Sequence, residues 1–168
     1  MPPPGTRLAA VLVPVVAGEV PSVIFTRRTR DLPRHPGEIS FPGGLEQAGD
    51  EDLRDTALRE TEEELGLARE AVDVVGALGP VHTTVSGILI VPFVGVLDGR
   101  PGFRPSAAEI AQVLEYPVRE LALAEAPVRY VRGDGVYEGF AYEMNGATIW
   151  GATARILHAL LEQLGESA

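Results

Sequence analysis

The chain has 168 residues, of which 45% are hydrophobic and 23% charged, and its formal net charge is -10. This length and composition predict a single folded domain over residues 1–168 and exclude a disordered chain. The negative charge argues against a nucleic-acid partner, and the absence of cysteine excludes disulfides, thiolate metal sites and thiol nucleophiles.

Two apolar runs near the start of the chain predict strands. Leu8 to Val16 and Ser22 to Thr26 are rich in Val, Ile and Phe and are bounded by Gly and Pro, so we expect an initial hairpin. The first run is too short to span a bilayer. We therefore expect a cytoplasmic protein with no membrane partner.

Positive charge is concentrated directly after the second predicted strand. Five cationic or potentially cationic residues fall within nine positions: Arg27, Arg28, Arg30, Arg34 and His35. Such a segment is often only a solvated loop. It leads into Phe41-Pro42-Gly43-Gly44 and an acidic stretch, so these cations are expected to lie near that stretch.

The acidic stretch predicts a helix, with Asp50 as a candidate N-cap and Gly66 as a C-terminal stop. At about 100° per residue, three glutamates share one arc. They are Glu60, Glu63 and Glu64, and they adjoin an apolar stripe formed by Leu53, Ala57, Thr61 and Leu65. Glu62 falls on the opposite, solvated side with Glu51 and Asp55.

Three neighbouring carboxylates repel one another unless a positive group lies among them. A hard divalent cation such as Mg²⁺ or Mn²⁺ would compensate them, because these ions prefer oxygen ligands. Arg59 could orient one of the glutamates or contact a phosphate. The alternative is an ordinary solvated helix face, which is common for acidic runs of this kind.

Gly44, Arg59-Glu60, Glu63-Glu64 and Gly66-Leu67 together resemble the Nudix box, the signature of hydrolases that cleave nucleoside diphosphates linked to another group. Fourteen residues separate Gly44 from Arg59, whereas the general box has thirteen, so either Asp50 or Glu51 can fill its first acidic position. The resemblance implies that metal is bound by Glu60, Glu63 and Glu64. It also implies three catalytic residues, Glu60, Arg59 and Glu63, with Glu60 as the first choice for the general base.

The segments after the helix alternate between strands and loops. Ala71 to Leu78 predicts a strand, and Ile88 to Leu97 predicts a buried strand broken or bulged at Pro92. Ser106 and Glu109 could cap a helix, but the resemblance to Nudix proteins favours a strand from Glu109 to Tyr116. Either Glu109 or Glu115 would then supply a further acidic group near the metal.

The last third of the chain predicts three strands and a closing helix. The strands are Val128 to Val131, Tyr137 to Met144 and Ala147 to Trp150, and Asn145-Gly146 is a strong hairpin signal. The helix, Gly151 to Leu164, has core-facing spacing at Ile156, Leu157, Leu160, Leu161 and Leu164. The resemblance implies an α/β (α+β) fold, the Nudix-type α/β/α sandwich with a mixed β-sheet.

The string TRRTRDLPRHPGEISFPGG, from Thr26 to Gly44, further resembles the coenzyme A pyrophosphatase branch of the Nudix family, and so do Val91 to Gly95 and Trp150 to Leu157. Pro33 departs from the pattern, because many relatives carry a basic residue there. The branch resemblance implies metal-dependent hydrolysis of coenzyme A or its thioesters to adenosine 3',5'-bisphosphate and 4'-phosphopantetheine. The expected substrate-binding residues are Arg28, Arg34, His35, Gly43 and Gly44.

Two alternatives stay open. One is a Nudix pyrophosphatase for ADP-ribose, a dinucleotide or an oxidised nucleotide. The other is a catalytically silent Nudix-fold ligand-binding module, which the intact acidic motif disfavours. A homo-oligomer is compatible with either.

Overall fold

In the computed structural model, which describes residues 2–33, 35–83 and 87–166, the chain forms two β-sheets and three α-helices. A single turn of 3₁₀-helix, Arg69–Ala71, follows the first α-helix. The strands and helices in chain order are β1 (Arg7–Val16), β2 (Ser22–Arg28), β3 (Ile39–Ser40), β4 (Gly43–Leu45), α1 (Leu53–Leu65), β5 (Asp73–Ala77), β6 (Val81–His82), β7 (Ile88–Leu97), β8 (Ile110–Pro117), α2 (Val118–Ala124), β9 (Glu125–Arg132), β10 (Gly135–Met144), β11 (Ala147–Ile149) and α3 (Gly151–Gln163).

The larger sheet is mixed, as predicted. Its main strand order is β3-β2-β1-β7-β5, while β4 pairs with β1, β6 with β7 and β8 with β2. The β1 and β7 strands run parallel, and the other pairs in this sheet are antiparallel. The predicted initial hairpin is confirmed by the β1–β2 pairing at Val15 and Val23. The smaller sheet has the order β11-β10-β9.

Strand β1 lies at the centre of the sandwich and contributes to the core on both faces. Because alternate residues of a strand point to opposite faces, Ala10 and Leu12 pack with Ala57 of α1. Val13 and Val15 belong to the core on the other side, which includes residues of the smaller sheet and of α3. The larger sheet therefore lies between α1 and a layer made by the smaller sheet and α3, in agreement with the predicted fold class.

Helix α1 begins two residues later than the sequence predicts. Its N-cap is Asp52, whose carboxylate accepts a 2.7 Å hydrogen bond from the Asp55 N–H. The predicted cap, Asp50, is wrong, because its carboxylate is bound to Arg59 instead. The predicted stop is confirmed: Gly66 has a φ of 65°, which glycine adopts at little cost.

The predicted break or bulge at Pro92 is absent, since β7 runs continuously through this residue and pairs it with Val11 in an unshifted register. Pro92 tolerates this position because it lies between the segments of β7 that pair with β6 and with β5. Its carbonyl accepts a hydrogen bond from Leu78 N–H at 2.8 Å. The missing N–H of proline therefore falls at a natural gap in the pairing.

The second half of the chain settles one open alternative and corrects two expectations about helices. Residues 110–117 form a strand, β8, as the resemblance favoured. Helix α2 is not predicted from the sequence; it is short and starts directly after Pro117. In α3 the predicted core residues are buried except for Leu164, which is 46% exposed because the helix ends at Gln163. None of the described helices combines the length and the apolar character needed to cross a membrane.

Candidate active site

Arg59 is the centre of the acidic face of α1. Its Nε and Nη2 donate to the two carboxylate oxygens of Asp50 at 2.7 and 3.0 Å, a bidentate pair. Nη1 donates to Glu60 at 3.0 Å and to both oxygens of Glu63 at 3.3 Å, and Nη2 also donates to the Leu45 carbonyl at 3.2 Å. All three guanidinium nitrogens are thus used within the protein. Of the two roles expected for Arg59, the orientation of glutamates is the one this geometry provides.

Asp50 anchors Arg59 from the loop before the helix. Its side chain is only 1% exposed and also accepts hydrogen bonds from the Gln47 N–H at 2.9 Å and the Thr56 hydroxyl at 2.8 Å. The hydrogen bond from Arg59 is the largest of the influences that hold the pKa of Asp50 well below its usual range. Glu51 is exposed, so of the two candidates for the first acidic position Asp50 is the one that pairs with Arg59.

Glu64 lies deeper than the helix period alone suggests. It is 6% exposed, within the buried face of α1 and not at its edge. Burial raises the pKa of Glu64 to about 8, and the negative charges of Glu60 and Glu109 act in the same direction. A backbone hydrogen bond from Gly43 and the positive charge of Arg28 oppose the rise. The carboxylate is therefore held in a poorly solvated position between anions and one nearby arginine.

Glu60 and Glu63 lie progressively closer to solvent. The Glu60 side chain is mostly buried, whereas that of Glu63 is exposed. Burial raises the pKa of Glu60, and the charges of Glu63 and Glu109 also raise it, although the hydrogen bond from Arg59 opposes them. Glu62 points away, as predicted, and pairs with Arg69. The three predicted metal ligands thus face one region but differ in solvent access.

Two consecutive glycines allow the chain to pass close to these carboxylates. A Cβ at Gly43 would lie 2.3 Å from the Ala10 carbonyl oxygen and 2.7 Å from the Val11 Cα. A Cβ at Gly44 would lie 2.6 Å from the Glu60 carboxylate carbon. Gly43 therefore permits the pairing of β4 with β1, and Gly44 leaves room for the Glu60 carboxylate.

This difference predicts that two alanine substitutions impair different properties of the protein, stability in one and catalysis in the other. We expect Gly43→Ala to destabilise the fold by about 1 to 3 kcal/mol, because the new methyl group meets immobile backbone. Gly44→Ala should cost less stability, since it meets the end of a flexible side chain, but it should lower kcat by roughly 100-fold through displacement of Glu60. Thermal unfolding and steady-state kinetics would separate the effects. Similar losses of stability in both variants would contradict this interpretation of Gly44.

The donor set fits a divalent cation, although the structure does not show a preformed cage. Within residues 2–33, 35–83 and 87–166, no group of three or more acidic or histidine side chains converges closely enough to hold an ion. However, Glu64 is buried and Glu60 is mostly buried, both have raised pKa values, and the Gly44 backbone lies close to the Glu60 carboxylate. Hard cations such as Mg²⁺ use a few such carboxylates and share their remaining positions with substrate phosphates.

The shifted pKa of Glu64 predicts how the metal-free protein responds to pH. The value is raised from 4.5 to about 8, so folding favours protonated Glu64. Its contribution to stability is complete below pH 4.5 and is lost as the pH rises to about 8. One pKa unit corresponds to about 1.4 kcal/mol. We therefore expect the free energy of unfolding, measured with a chelator present, to decline over this range by several kcal/mol less in Glu64→Gln than in the unmodified protein. Identical pH dependence in the two proteins would contradict a raised pKa.

The predicted substrate-binding residues of the basic segment lie in different surroundings. Arg28 ends β2, is half-buried and is close enough to Glu64 to lower its pKa. Its buried Nε has no hydrogen-bond partner among the described residues. His35 is exposed, and its Nδ1 lies 2.9 Å from Oε2 of Glu38. Arg34 lies outside the described residues, so its placement stays a prediction.

Of the two candidates for an additional acid, only Glu109 is near the site. It directly precedes β8 and raises the pKa values of both Glu60 and Glu64. Glu115 instead accepts a hydrogen bond from Ser22 at 2.5 Å and pairs with Arg100. The C-terminal end of α1 is fixed nearby, since Ser106 N–H donates to the Glu64 carbonyl at 2.8 Å.

Comparisons with known proteins agree with this fold. Residues 6–132 match the NUDIX domain. The uncharacterized Nudix hydrolase NudL of Pectobacterium atrosepticum is 36% identical over 162 residues that cover 95% of this chain and 84% of the relative.

Two solved structures share the fold at low sequence identity. A C. elegans Ap4A hydrolase binary complex has a TM-score of 0.59 at 18% identity and covers 68% of this chain and 82% of its own. The NUDIX domain of Shewanella oneidensis NrtR, complexed with ADP ribose, has a TM-score of 0.54 at 18% identity. The match covers 68% of this chain and 74% of the NrtR domain chain. The NUDIX domain match and the similarity to NudL over almost the whole chain show that this chain belongs to the Nudix hydrolase family.

Proposed function

We propose that this Nudix hydrolase cleaves the pyrophosphate bond of coenzyme A or its thioesters, giving adenosine 3',5'-bisphosphate and 4'-phosphopantetheine. The observation that carries the proposal is the half-buried Arg28, with an unpaired Nε among the described residues, beside a group of poorly solvated carboxylates. The resemblance of Thr26 to Gly44 to the coenzyme A branch supports the choice of substrate. We also propose that residues 1–168 form a single domain.

In this proposal Glu60, Glu63 and Glu64 hold one or more divalent cations, Mg²⁺ or Mn²⁺. When bound, the metal would polarise the phosphoryl oxygens and offset the charge that develops on them. Arg59 fixes the orientation of Glu60 and Glu63 through Nη1. Asp50 fixes Arg59 in turn, so the loop before α1 controls the position of the ligands.

We assign the general base to Glu60. In the metal-free protein burial raises the pKa of Glu60, and a raised pKa favours acceptance of a proton. Arg59 donates to one carboxylate oxygen, Oε1, which leaves Oε2 to accept a proton from the attacking water. Glu109 adds negative charge beside the same carboxylates and is one of the causes of the raised pKa of Glu60.

A second candidate function is the hydrolysis of ADP-ribose or a related nucleoside diphosphate. The observation that favours it is the fold shared with a NUDIX domain that is complexed with ADP ribose. The two functions differ at the 3'-phosphate, which coenzyme A carries and ADP-ribose lacks. A panel of coenzyme A, ADP-ribose, NADH and a dinucleoside polyphosphate, assayed with and without Mg²⁺ or Mn²⁺, would separate them. Higher kcat/KM for ADP-ribose than for coenzyme A would overturn the proposed substrate but not the family.

We expect Arg28→Ala to discriminate between coenzyme A and 3'-dephospho-coenzyme A. If Arg28 contacts the 3'-phosphate, a lost charge-assisted hydrogen bond costs roughly 1.5 to 3 kcal/mol, or about tenfold to a hundredfold in kcat/KM. The dephosphorylated substrate should be little affected. We predict the same pattern for Arg34→Ala.

The matched control is Arg54→Ala, which removes an exposed arginine from α1 and should leave both substrates unaffected. Equal losses on both substrates in Arg28→Ala would show that this arginine serves the pyrophosphate or Glu64. In that case the 3'-phosphate assignment would be withdrawn.

A further inference from the structure

Helix α1 contains two buried threonines, Thr56 and Thr61, and their hydroxyl groups are used differently. A buried hydroxyl group needs a hydrogen-bond acceptor, and in a helix the carbonyl of the preceding turn can provide one. Thr61 uses this local acceptor, since its Oγ1 donates to the Ala57 carbonyl at 2.7 Å. Thr56 instead donates at 2.8 Å to Oδ2 of Asp50, which lies in the loop before the helix. Of the two residues, Thr56 is the one whose hydroxyl links α1 to that loop.

The Thr56 hydroxyl has a local acceptor of its own, the Asp52 carbonyl at 3.2 Å. That carbonyl already accepts a hydrogen bond from the Thr56 N–H at 3.1 Å. A hydroxyl group has one proton to donate, and a charged carboxylate makes a stronger hydrogen bond than a neutral carbonyl. The proton of Thr56 therefore lies on the shorter bond, toward Asp50.

The Asp50 carboxylate depends on this bond for its position relative to α1. Its side chain is 1% exposed, so water has little access to replace a missing donor. Oδ2 accepts from the Gln47 N–H, the Thr56 hydroxyl and Arg59 Nη2, and Oδ1 accepts from Arg59 Nε. Gln47 belongs to the same loop and moves with Asp50. Apart from Arg59 itself, Thr56 is thus the one donor within the described part of the chain that ties this carboxylate to the helix.

Arg59 transmits the position of Asp50 to the acidic face of α1. Its guanidinium group is planar and rigid, so a rotation of the paired carboxylate would rotate the whole fork. Nη1 of the same group donates to Glu60 at 3.0 Å and to Glu63 at 3.3 Å. A displacement of Asp50 would therefore move the donor that orients two of the proposed metal ligands.

We propose that Thr56 is a positioning residue for the metal site. Its hydroxyl holds Asp50 against α1, Asp50 holds Arg59, and Arg59 orients the two glutamates. The loop is in this way fixed to the same helix that carries the ligands. The inference rests on the proposed role of Glu60 and Glu63 in binding the metal.

Thr56→Val tests this role, because valine keeps the shape of the side chain but has no proton to donate. We expect the apparent affinity for Mn²⁺, titrated without substrate, and kcat for coenzyme A each to fall about tenfold, the lower end of the usual loss for a residue that supports metal ligands. Thr56→Ser keeps the hydroxyl and should retain both properties. An equal loss in Thr56→Ser, or an unchanged Mn²⁺ affinity in Thr56→Val, would overturn the proposal.

The matched control is Thr61→Val, which also removes a buried hydroxyl from α1, directly beside Glu60. It should leave Mn²⁺ affinity and kcat unchanged, even where it lowers the stability of the fold. A loss of Mn²⁺ affinity equal to that in Thr56→Val would show a general effect of removing buried hydroxyl groups and would overturn the positioning role. If Thr56→Val does not fold, Thr56→Ala takes its place, since alanine also lacks the donor and is the stronger helix former.

A double variant tests whether Thr56 acts through Asp50. In an Asp50→Asn background, Thr56→Val should lower Mn²⁺ affinity by less than it does alone, because both changes act on one hydrogen-bonded unit. Full additivity of the two losses would contradict the proposal. The Mn²⁺ titration also separates this inference from the substrate. Normal Mn²⁺ binding by the unmodified protein without hydrolysis of coenzyme A would overturn the proposed substrate alone, whereas an unmodified protein that binds no Mn²⁺ would overturn the metal ligands and the role of Thr56 together.

Discussion

We expect Glu64→Gln to lower kcat for pyrophosphate hydrolysis by well over about 100-fold at saturating Mg²⁺ or Mn²⁺, since even a supporting partner of a metal ligand is typically worth about 10- to 100-fold. Glutamine keeps the size of the side chain and can still accept the backbone hydrogen bond from Gly43. It cannot carry the negative charge that a metal ligand provides. The loss should therefore appear in catalysis.

The same substitution should not unfold the protein. Because the pKa of Glu64 is raised to about 8, the residue is already largely neutral in the metal-free fold at neutral pH, and glutamine resembles that neutral form. Unfolding curves recorded with a chelator should show equal or greater stability for the variant. A variant that fails to fold would indicate that Glu64 is mainly a structural acid.

Two neighbours on α1 complete this test. Glu63→Gln should also reduce kcat strongly, because Glu63 is a proposed ligand oriented by Arg59. Glu62→Gln is the matched control, since Glu62 is adjacent but exposed and pairs with Arg69 on the other side of the helix. It should retain nearly full activity. Full turnover by the unmodified protein or by Glu62→Gln after thorough chelation would refute metal dependence altogether.

The sequence predicts the direction of the acidic side chains well because helical periodicity fixes it. Glu60 and Glu64 face the site, and Glu62 points away, as the 3.6-residue period requires. The predicted apolar stripe also holds, with Ala57 and Leu65 fully buried. These properties depend only on residues within one helix.

The depth of each glutamate depends on other parts of the chain and could not be predicted in this way. Glu64 is buried because β4 lies against it, with a backbone hydrogen bond from Gly43, and because residues 104–106 close the end of α1. The role of Asp50 was hidden for a similar reason. From the sequence alone, Asp50 fits either as the N-cap of α1 or as a partner for Arg59, nine positions later. The hydrogen bonds that Asp50 accepts from Arg59 and Thr56 decide for the second role, and they are visible only in the folded structure.

Arg59 provides the strongest test of how the ligands are positioned. We expect Arg59→Lys to lower kcat by about 10- to 100-fold, which is the usual loss for a residue that orients metal ligands. Lysine keeps the positive charge, but a single ammonium group cannot reproduce the planar fork that binds Asp50 at two points and also reaches Glu60, Glu63 and the Leu45 carbonyl. Because lysine keeps the charge, a lower kcat in Arg59→Lys would show that Arg59 acts by positioning the glutamates. Simple compensation of their negative charge would leave kcat unchanged.

Arg69→Lys is the matched control, because Arg69 pairs with Asp55 and Glu62 on the solvated side of the same helix. It should change kcat little. If orientation is the reason for the loss in Arg59→Lys, the apparent affinity for Mn²⁺, measured by titration without substrate, should fall together with kcat. Asp50→Asn should reproduce part of both effects, and the double variant should lose less than the sum of the single variants, since both act on one hydrogen-bonded unit. Unchanged Mn²⁺ affinity in Arg59→Lys, with kcat still reduced, would instead indicate that Arg59 acts on the substrate itself.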